Sequence, residues 1–598
     1  MSKHDPSGAG PVASAAHVSR RRFLTLSIVT ASAAVMAACQ QTPPPASKPA
    51  ESKPAESKPA EAAKPAATTA PAAAAQPAAA QATAKPAVQV ANTPAPAVSV
   101  GATAQPAAAG KPGGTKIYRV GSLPDVVSMD PAIMSNQIDF QIAEMIFNLM
   151  GRYTYDPPLG NAITPELAES WEIKDDAKTW IFHIRKGVKF QKGYGDLTAE
   201  DVKANWEYIK KPDTASPFRV EFGGSTIDVV DPYTVKVTFD QPKPSFMSAV
   251  LGFRPGFIIS PKARTERGDR WKSDPVGSGP FLWSDYQAGT SLSLKQNPDY
   301  WGPKPKIDEI QYRFKLDDRA APLAVSKGEL DAFYLSDPDA MIAASKNTDP
   351  NVIFHKSAAG QAPYIQFFNM RRKPFDDLRV RQALRHAIDN ESIAKELFGG
   401  LADPLHSFLP PSMFGYSEDV TKLEYNPDKA KQLLKDANVP ADWEVNLISY
   451  STLLICRRVT EAVVSYWEDI GVKVKPELLD AALYGKRTAA REFDVTATYI
   501  TRIDPEQLAV PYFRSDSSGN SSGYTGADDL IDKARTEPDP DKRARVWRDL
   551  QDKIAKDSPA SFVVSVAEGI ILNKRVTGHT GTGWQERHPI FTIDVPAE

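Results

Sequence analysis

The chain has 598 residues, of which 42% are hydrophobic and 24% charged, and its formal net charge is −2 at pH 7. A chain of this length and composition can bury a large core, and we predict that it folds as more than one lobe. The near-neutral balance of charge argues against nucleic acid as the main partner, because phosphate backbones are bound by basic surfaces.

The first 39 residues have the pattern of an export signal. Residues 19–24 read SRRRFL, a twin-arginine pattern, and a short apolar run follows over 23–38. This run is shorter than the roughly 20 residues that a membrane-spanning helix needs. It ends in VMAAC, which is similar to a lipoprotein cleavage site with methionine where leucine is usual. We predict a twin-arginine lipoprotein signal over 1–39 with lipid on Cys39. The alternative is an uncleaved anchor, and both place the body outside the cytoplasm.

Residues 40–114 are dominated by Ala, Pro, Lys, Glu and Gln, and the unit ESKPA repeats over 51–60. Such a segment contains too few large apolar side chains to offset the entropy of ordering. We therefore predict a disordered tether that joins a lipid anchor in the membrane to a folded body starting at 115.

The chain has two cysteines, Cys39 and Cys456. If Cys39 carries lipid, Cys456 has no disulfide partner. Apolar residues recur at helical spacing over 455–470 and stop at Gly471, which is typical of an amphipathic helix. We predict that Cys456 is a core residue of that helix and not a nucleophile.

Strands and long helices alternate through the body. Side chains alternate between apolar and polar over 180–184 and 233–239, as in half-buried strands. Thr198 and Asp201 form a capping-box pattern that predicts a helix over 199–211. The remaining predictions are a first strand at 116–120 and helices over 376–398 and 539–557. This mixture favours an α/β class.

The most informative stretch is 161–202, NAITPELAESWEIKDDAKTWIFHIRKGVKFQKGYGDLTAEDV. An ordinary strand followed by a helix accounts for its alternation and its capping box, but not for the whole string. Further short motifs follow at spaced positions. They are VGSGPF at 276–281, NPDYW at 297–301, GELD at 328–331, PFDDLRVRQAL at 374–384 and YNPDKAK at 425–431.

In this order the motifs resemble those of solute-binding protein family 5, the peptide-, opine- and nickel-type periplasmic binding proteins of ABC importers. The resemblance covers roughly the last 480 residues. It implies an α/β, two-lobed periplasmic-binding-protein fold with a hinge and an extra subdomain inserted in the first lobe. The implied boundaries are 115–160, 275–365 and 560–598 for lobe I, 161–274 for the inserted subdomain and 366–559 for lobe II.

The resemblance also implies where a ligand is held. The loop Ser135, Asn136 and Gln137 should face the cleft from lobe I. From lobe II the segment 499–505 should reach the ligand through Tyr499, Thr501, Arg502 and Asp504, and a second loop through Asn520 and Tyr524.

One position departs from the family pattern. Peptide-binding relatives have an aspartate four positions before the proline, where it pairs with the ammonium group of the peptide, and this chain has Thr501 there. Asp504 is an alternative partner for an ammonium group. Arg502 could bind a carboxylate, although a hinge-side salt bridge is equally consistent with its position. We therefore hypothesise that the ligand is an anionic organic solute, opine-like or a modified sugar, and not a simple peptide.

The sequence contains no His-Glu-x-x-His, no Gly-x-Ser-x-Gly and no phosphate loop. We predict no catalytic residues, no cofactor and no metal ligands. The predicted function is an extracytoplasmic lipoprotein, monomeric, that captures a peptide-like or other small organic solute for an ABC permease. The alternatives are a nickel- or haem-type binding protein and an exported hydrolase.

Overall fold

The computed structural model of the chain describes residues 114–134, 136–153, 163–356, 362–451, 453–579 and 589–598. The predicted signal, Cys39, the predicted tether up to 113 and Ser135 lie outside the described residues. Among the described helices, none combines the length and the apolarity that crossing a bilayer requires.

A mixed sheet of seven strands lies in the first large core of the described residues. The strand Ile117–Gly121 is parallel to both of its neighbours, and the other pairs are antiparallel. Tyr118 and Val120 alternate with less buried neighbours, as the strand predicted at 116–120 requires. In spatial order the strands are Phe281–Gln287, Ser291–Gln296, Glu309–Arg313, Ile117–Gly121, Ala332–Leu335, Gly569–Asn573 and Val352–Lys356.

The described part of the stretch 161–202 begins at 163 and contributes the first two strands of a separate four-stranded antiparallel sheet. Trp180 and Phe182 point into the core from the strand Thr179–Ile184, and Trp206 packs against Phe182 with ring centroids 5.7 Å apart. The predicted alternation is confirmed. The strands, in spatial order, are Ala168–Lys174, Thr179–Ile184, Thr234–Phe239 and Ser225–Asp231. Short pairs accompany them: Asn148–Leu149 with Phe257–Ile258, Gly151–Tyr153 with Ile163–Pro165, and Lys189–Phe190 with Gly195–Asp196.

A second large sheet has six strands in the described residues, and its strand Ala362–Phe368 is buried on both faces. On one face Tyr364 and Phe368 pack with the helix Leu454–Asp469, and on the other Ile365 and Phe367 pack with the helix Pro540–Asp557. Its strands, in spatial order, are Ala402–Pro404, Ala560–Val566, Ala362–Phe368, Val495–Tyr499, Glu444–Tyr450 and Lys473–Leu479.

The helices mostly begin where the sequence signals predict. Thr198 and Asp201 form the predicted capping box before Ala199–Lys210, with the Thr198 amide donating to the Asp201 carboxylate at 2.9 Å. Cys456 is fully buried in Leu454–Asp469, so its prediction as a core residue is confirmed. The other α-helices are Gln137–Ile146, Pro261–Arg267, Ala321–Ser326, Pro338–Ser345, Leu378–His386, Asn390–Ser392, Pro427–Asp436, Ala481–Ala490, Glu506–Phe513, Asp528–Thr536 and Pro540–Asp557. Single turns of 3-10 helix are Gln191–Gly193, Pro212–Thr214, Arg219–Phe222, Arg254–Gly256 and Gly268–Ser273, and π-helical turns are Phe246–Leu251 and Ile393–Leu397.

The helix predicted over 376–398 is wrong as a single helix. The first part ends at His386, and Asp389 begins a new helical segment by accepting hydrogen bonds from the amide and hydroxyl of Ser392. A capping aspartate inside a helical pattern marks a new start because its side chain satisfies amides that a continuous helix would use.

The strand assignment also differs from the predicted lobe boundaries. Residues 560–566, assigned to lobe I, form a central strand of the second sheet and pair with Ala362–Phe368. The strand Ala362–Phe368 likewise begins before the boundary predicted at 365. A fully buried strand of small and apolar residues, ASFVVSV, gives no signal of which sheet it joins, since pairing is decided by partners far away in the sequence. After Val566 the chain crosses to the first sheet through Ala567 and Glu568.

Candidate ligand-binding cleft

The two large sheets meet near the crossing at Glu568. The strand Ala332–Leu335 of the first sheet contributes Tyr334, and the strand Val495–Tyr499 of the second sheet contributes Tyr499. Burial raises the pKa of both tyrosine hydroxyls well above the ordinary value, and the carboxylate of Glu568 raises both further. The side chains of Tyr334, Tyr499 and Glu568 therefore lie near one another. The predicted site residue Tyr499 is thus located where the two large sheets meet.

The segment after Tyr499 contacts the first core directly. Ile503 packs against that core. The hydroxyl of Ser248 donates to Asp504 Oδ2 at 2.9 Å, and Gln507 Nε2 donates to the carbonyl oxygen of Ala249 at 2.7 Å. Residues 499–507 thus connect the end of a strand in the second sheet to the turn Phe246–Leu251.

Asp504 is engaged by protein groups on both carboxylate oxygens. Besides the Ser248 hydroxyl, the backbone amide of Glu506 donates to Asp504 Oδ1 at 2.9 Å. The side chain is 6% exposed, and burial, followed by the negative charge of Glu506, raises its pKa to about 6. Asp504 therefore belongs to the contact between two bodies of the fold, one built on the first sheet with the inserted sheet and the other on the second sheet. Its predicted contact with a ligand ammonium group stays a prediction.

Thr501 and Arg502 are partly buried on the same segment. Arg502 Nη1 donates to the carbonyl oxygen of Thr501 at 2.6 Å. The described residues supply no carboxylate partner within ion-pair distance of Arg502, so the hinge-side salt bridge considered for it is not formed there. A guanidinium group has five N–H donors, and the remaining ones fit a carboxylate.

On the other body, Asn136 and Gln137 lie at the start of the helix Gln137–Ile146. Both are partly buried, whereas every later residue of that helix is buried. Asn136 caps the helix by position only, because its side chain makes no capping hydrogen bond. The polar end of an otherwise buried helix is a suitable place for ligand contact. Contact of these residues with a ligand stays a prediction.

A family model of the bacterial extracellular solute-binding proteins, family 5, matches residues 162–522, more than half of the chain. The chain belongs to this family. Family 5 consists of non-catalytic solute-binding proteins, so the prediction that the chain is not an enzyme is confirmed. Members of this family are extracellular, and the protein is extracytoplasmic.

Individual relatives and structures agree with the assignment. The chain is 28% identical to the dipeptide-binding protein of Escherichia coli K12 over 452 residues, which are 70% of this chain and 83% of that protein. It is similar to Helicobacter pylori DppA in complex with the peptide STSA, with a TM-score of 0.69, 25% identity and coverage of 81% of this chain and 99% of that one. It is also similar to MoaA from A. tumefaciens R10 in complex with mannopinic acid, with a TM-score of 0.68, 27% identity and coverage of 80% and 99%. The predicted α/β periplasmic-binding-protein fold is confirmed.

Two side chains predicted to contact the ligand have structural roles in this family 5 protein. The fully buried amide of Asn520 donates to the carbonyl oxygens of Arg514 and Tyr524, at 3.0 and 2.7 Å, and accepts from Ser522 and Gly523. The hydroxyl of Tyr524 donates to Asp557 at 2.5 Å. Asn520 therefore closes its own loop and Tyr524 joins that loop to Asp557, and contact of either side chain with a ligand stays a prediction.

Sequence reasoning missed Glu568, Tyr334 and the two serines Ser245 and Ser248. For Glu568 a signal was available, since it is the one charged residue in the otherwise uncharged stretch 560–573. A carboxylate within such a run is costly to bury and usually marks a site or a junction. The serines gave no comparable signal, because isolated hydroxyl groups occur on most protein surfaces.

Proposed function

We propose that this family 5 protein captures a small organic solute that carries a carboxyl group and delivers it to an ABC permease. The solute would lie between the two sheets, where the segment 499–503 meets the first core and the end of the helix Gln137–Ile146. Ligand contacts with both bodies would favour a closed form, which the permease recognises. The chain would supply no chemistry, and the transport energy would come from the partner ATPase.

The observation that carries this proposal is the pair Thr501 and Arg502. The family resemblance implies that the neutral Thr501 stands where peptide-binding relatives have an aspartate, and the guanidinium group of the neighbouring Arg502 has N–H donors beyond the one that the Thr501 carbonyl oxygen accepts. A peptide ammonium group buried here would lack the ion pair that relatives provide, which costs several kcal/mol. A carboxylate would instead gain charge-assisted hydrogen bonds.

Known ligands of similar structures are consistent with this chemistry. The peptide in the DppA complex and mannopinic acid in the MoaA complex both carry carboxyl groups. The absence of an aspartate at 501 favours the opine-like class over peptides. We also propose that the protein carries lipid on Cys39, that residues 40–114 form the tether and that the folded body is monomeric. A single acyl chain binds membranes only marginally, so stable retention requires a multiply acylated N-terminus.

The first test is native mass spectrometry of the full-length protein purified gently from its own host. We expect a small anionic molecule at one copy per chain, lost on denaturation. Calorimetric titrations with mannopinic acid, glutathione and tri- to pentapeptides then rank the classes. Tight binding of ordinary tri- to pentapeptides, with no binding of the anionic solutes, contradicts the proposed ligand class.

Variants connect the ligand class to the two residues. Arg502→Gln should weaken binding of an anionic solute at least about tenfold, since a charge-assisted pair contributes roughly 1.5–3 kcal/mol. Arg313→Gln, the same change at an exposed arginine of the first sheet, is the matched control. Thr501→Asp should strengthen binding of peptides by restoring a partner for their ammonium group. An unchanged affinity in both Arg502→Gln and Thr501→Asp would place the ligand elsewhere.

A further inference from the structure

Three side-chain hydrogen bonds join the segment 504–507 to residues 245–249, which lie more than 250 positions earlier in the chain. Ser245 donates to Glu506 Oε2, Ser248 donates to Asp504 Oδ2 at 2.9 Å, and Gln507 Nε2 donates to the carbonyl oxygen of Ala249 at 2.7 Å. Both carboxylates are nearly buried, at 6% and 7% exposure. The serines flank and occupy the π-helical turn Phe246–Leu251 of the first core.

The charged side chains around this contact are distributed unevenly between the two bodies. Among the described residues, the cations that face the two carboxylates are Arg535 and Arg543 of the second body, whereas the nearby Lys243 of the first body pairs with Glu221. Arg535 Nε contacts Glu506 Oε1 at 2.9 Å, and Arg543 faces both carboxylates together with Glu537 and Asp539. A crevice of about 550 Å³ opens beside Glu506, and its other charged lining residues are Asp240, Lys243, Arg514, Asp532 and Arg535. Lys243 pairs there with Glu221, and Arg514 pairs with Asp516 and Asp532.

Such a contact can be made and broken at the cost of exposing Ile503, the partly buried side chain of 499–507 that packs against the first core. Its partners are hydroxyl and amide groups, which water replaces readily, and a hydrogen bond to a charged group contributes only about tenfold to a hundredfold to an equilibrium. On the second body the carboxylates keep local partners: the Glu506 amide for Asp504 and Arg535 for Glu506. If the two bodies separated, the carboxylates would keep these partners on the second body. The hydroxyl groups of Ser245 and Ser248 on the first body would hydrogen-bond to water.

We infer that Asp504 and Glu506 form a closure latch with Ser248 and Ser245, and that protonation of Asp504 favours the closed form. The inference rests on the proposed function, in which the two bodies open and close around a solute. Asp504 and Glu506 act as positioning residues: they set the balance between open and closed forms without contacting the solute. The affinity for any solute then depends on the latch, because a ligand that binds the closed form is bound in proportion to the population of that form.

The sign of the pH effect follows from the burial of Asp504. In the structure, where the latch is formed and which we take as the closed form, burial and the charge of Glu506 raise its pKa to about 6, against the lowering effects of the Glu506 amide, the Ser248 hydroxyl and Arg543. In the open form the carboxyl group would be hydrated and its pKa close to the ordinary value of about 3.9. The closed form therefore binds the proton more tightly. Acidification from pH 7.5 to pH 5.5 should raise the ratio of closed to open forms about fourfold.

The test measures closure without a ligand, so it does not depend on solute identity. Spin labels are attached at Lys262→Cys and Lys475→Cys, two exposed positions on different bodies, in full-length protein with Cys39→Ser. Cys456 is fully buried and is not labelled. Distance distributions from double electron–electron resonance at pH 5.5 and 7.5 give the closed fraction. We expect it to rise at pH 5.5 in the parent protein.

Variants distinguish a latch from a passive contact. Asp504→Asn imitates the protonated carboxyl group and should give the same closed fraction at both pH values. Ser248→Ala should lower the ratio of closed to open forms about tenfold at pH 7.5, and it also tests the latch if the asparagine variant does not fold. Asp228→Asn, an exposed aspartate on the inserted sheet, is the matched control. The inference is overturned if Asp504→Asn retains the pH response of the parent, or if the parent shows none. A failure to bind any solute would contradict the proposed function but would leave these distances unaffected.

Discussion

The guanidinium group of Arg152 holds the carboxylate of Glu166 in a two-pronged contact, with Nη2 2.8 Å from Oε1 and Nε 3.2 Å from Oε2. A second carboxylate, Glu144, contacts Arg152 Nη1 at 3.1 Å. Glu166 belongs to the informative stretch 161–202, and Asn148 donates to it at 2.7 Å. Through Glu166, the stretch that carries the family motifs is therefore joined to the strand Gly151–Tyr153 and the helix Gln137–Ile146 by a largely buried charge network.

Loss of Arg152 should be strongly destabilising. Glu144 and Glu166 are almost fully buried, and the substitution removes the cation that both carboxylates share. We expect Arg152→Met to lower the free energy of unfolding by about 3–5 kcal/mol in urea titrations. Arg313→Met, at an exposed arginine, should change it by less than about 0.5 kcal/mol. A change below about 1 kcal/mol for Arg152→Met would show that the network is solvated.

A pair of glycine substitutions should have opposite effects. A Cβ atom at Gly279 would lie 2.7 Å from the carbonyl oxygens of Ile146 and Met145, and backbone atoms cannot move aside cheaply. We expect Gly279→Ala to destabilise the protein by at least about 2 kcal/mol. Gly485 lies within the helix Ala481–Ala490, and a Cβ atom there meets nothing within 4 Å. Gly485→Ala should therefore stabilise it by about 0.5–1 kcal/mol. Calorimetry measures the stability of both variants. If Gly279→Ala and Gly485→Ala changed it equally, the close packing described at Gly279 would be contradicted.

The thiol of Cys456 should be chemically inert in the folded protein. Burial raises its pKa to about 12, so almost no thiolate exists at neutral pH. In the Cys39→Ser variant, where it is the one remaining cysteine, we expect its reaction with a disulfide reagent at pH 8 to be roughly a thousandfold slower than in urea. Rapid labelling of the native protein would show that the helix Leu454–Asp469 opens locally.

Stability should also depend on the protonation of Asp139. Burial raises the pKa of this carboxyl group to about 6, although the amides of Val127 and Ser128 donate to it at 2.8 and 3.1 Å. The pKa is higher in the folded than in the unfolded state, so a proton bound to Asp139 stabilises the folded protein. This contribution to the free energy of unfolding is complete below about pH 4 and is lost as the pH rises through 6. The stability advantage of the parent over Asp139→Asn should therefore be smaller at pH 7 than at pH 4.5.

Thermal unfolding midpoints of both proteins across this range provide the measurement. Asp228→Asn controls for the exchange of a carboxylate for an amide on an exposed side chain. An advantage that grows as the pH rises would mean that the hydrogen bonds from Val127 and Ser128 outweigh the burial of Asp139.

Local patterns in the sequence determined most of the elements. The alternation at 180–184, the capping box of Thr198 and Asp201 and the helical spacing around Cys456 depend on neighbours within one or two turns, and each is confirmed. The family motifs predicted the fold and the non-catalytic function. Several spaced motifs in the same order indicate a shared set of contacts, and therefore a shared fold. Arg502 and Thr501 were also identified from the sequence as the residues that decide the ligand class, and that role stays a prediction.

The tertiary structure decided what depends on partners far away in the chain. In the folded chain the strand Ala560–Val566 pairs within the second sheet, and the side chain of Asn520 hydrogen-bonds to the backbone of its own loop. Asp504 accepts a hydrogen bond from Ser248, which lies 256 positions away in the sequence. A polar side chain in a loop has the same sequence signature whether it meets a ligand, its own backbone or another body. Burial and hydrogen-bond partners distinguish these cases, and they exist only once the chain is folded.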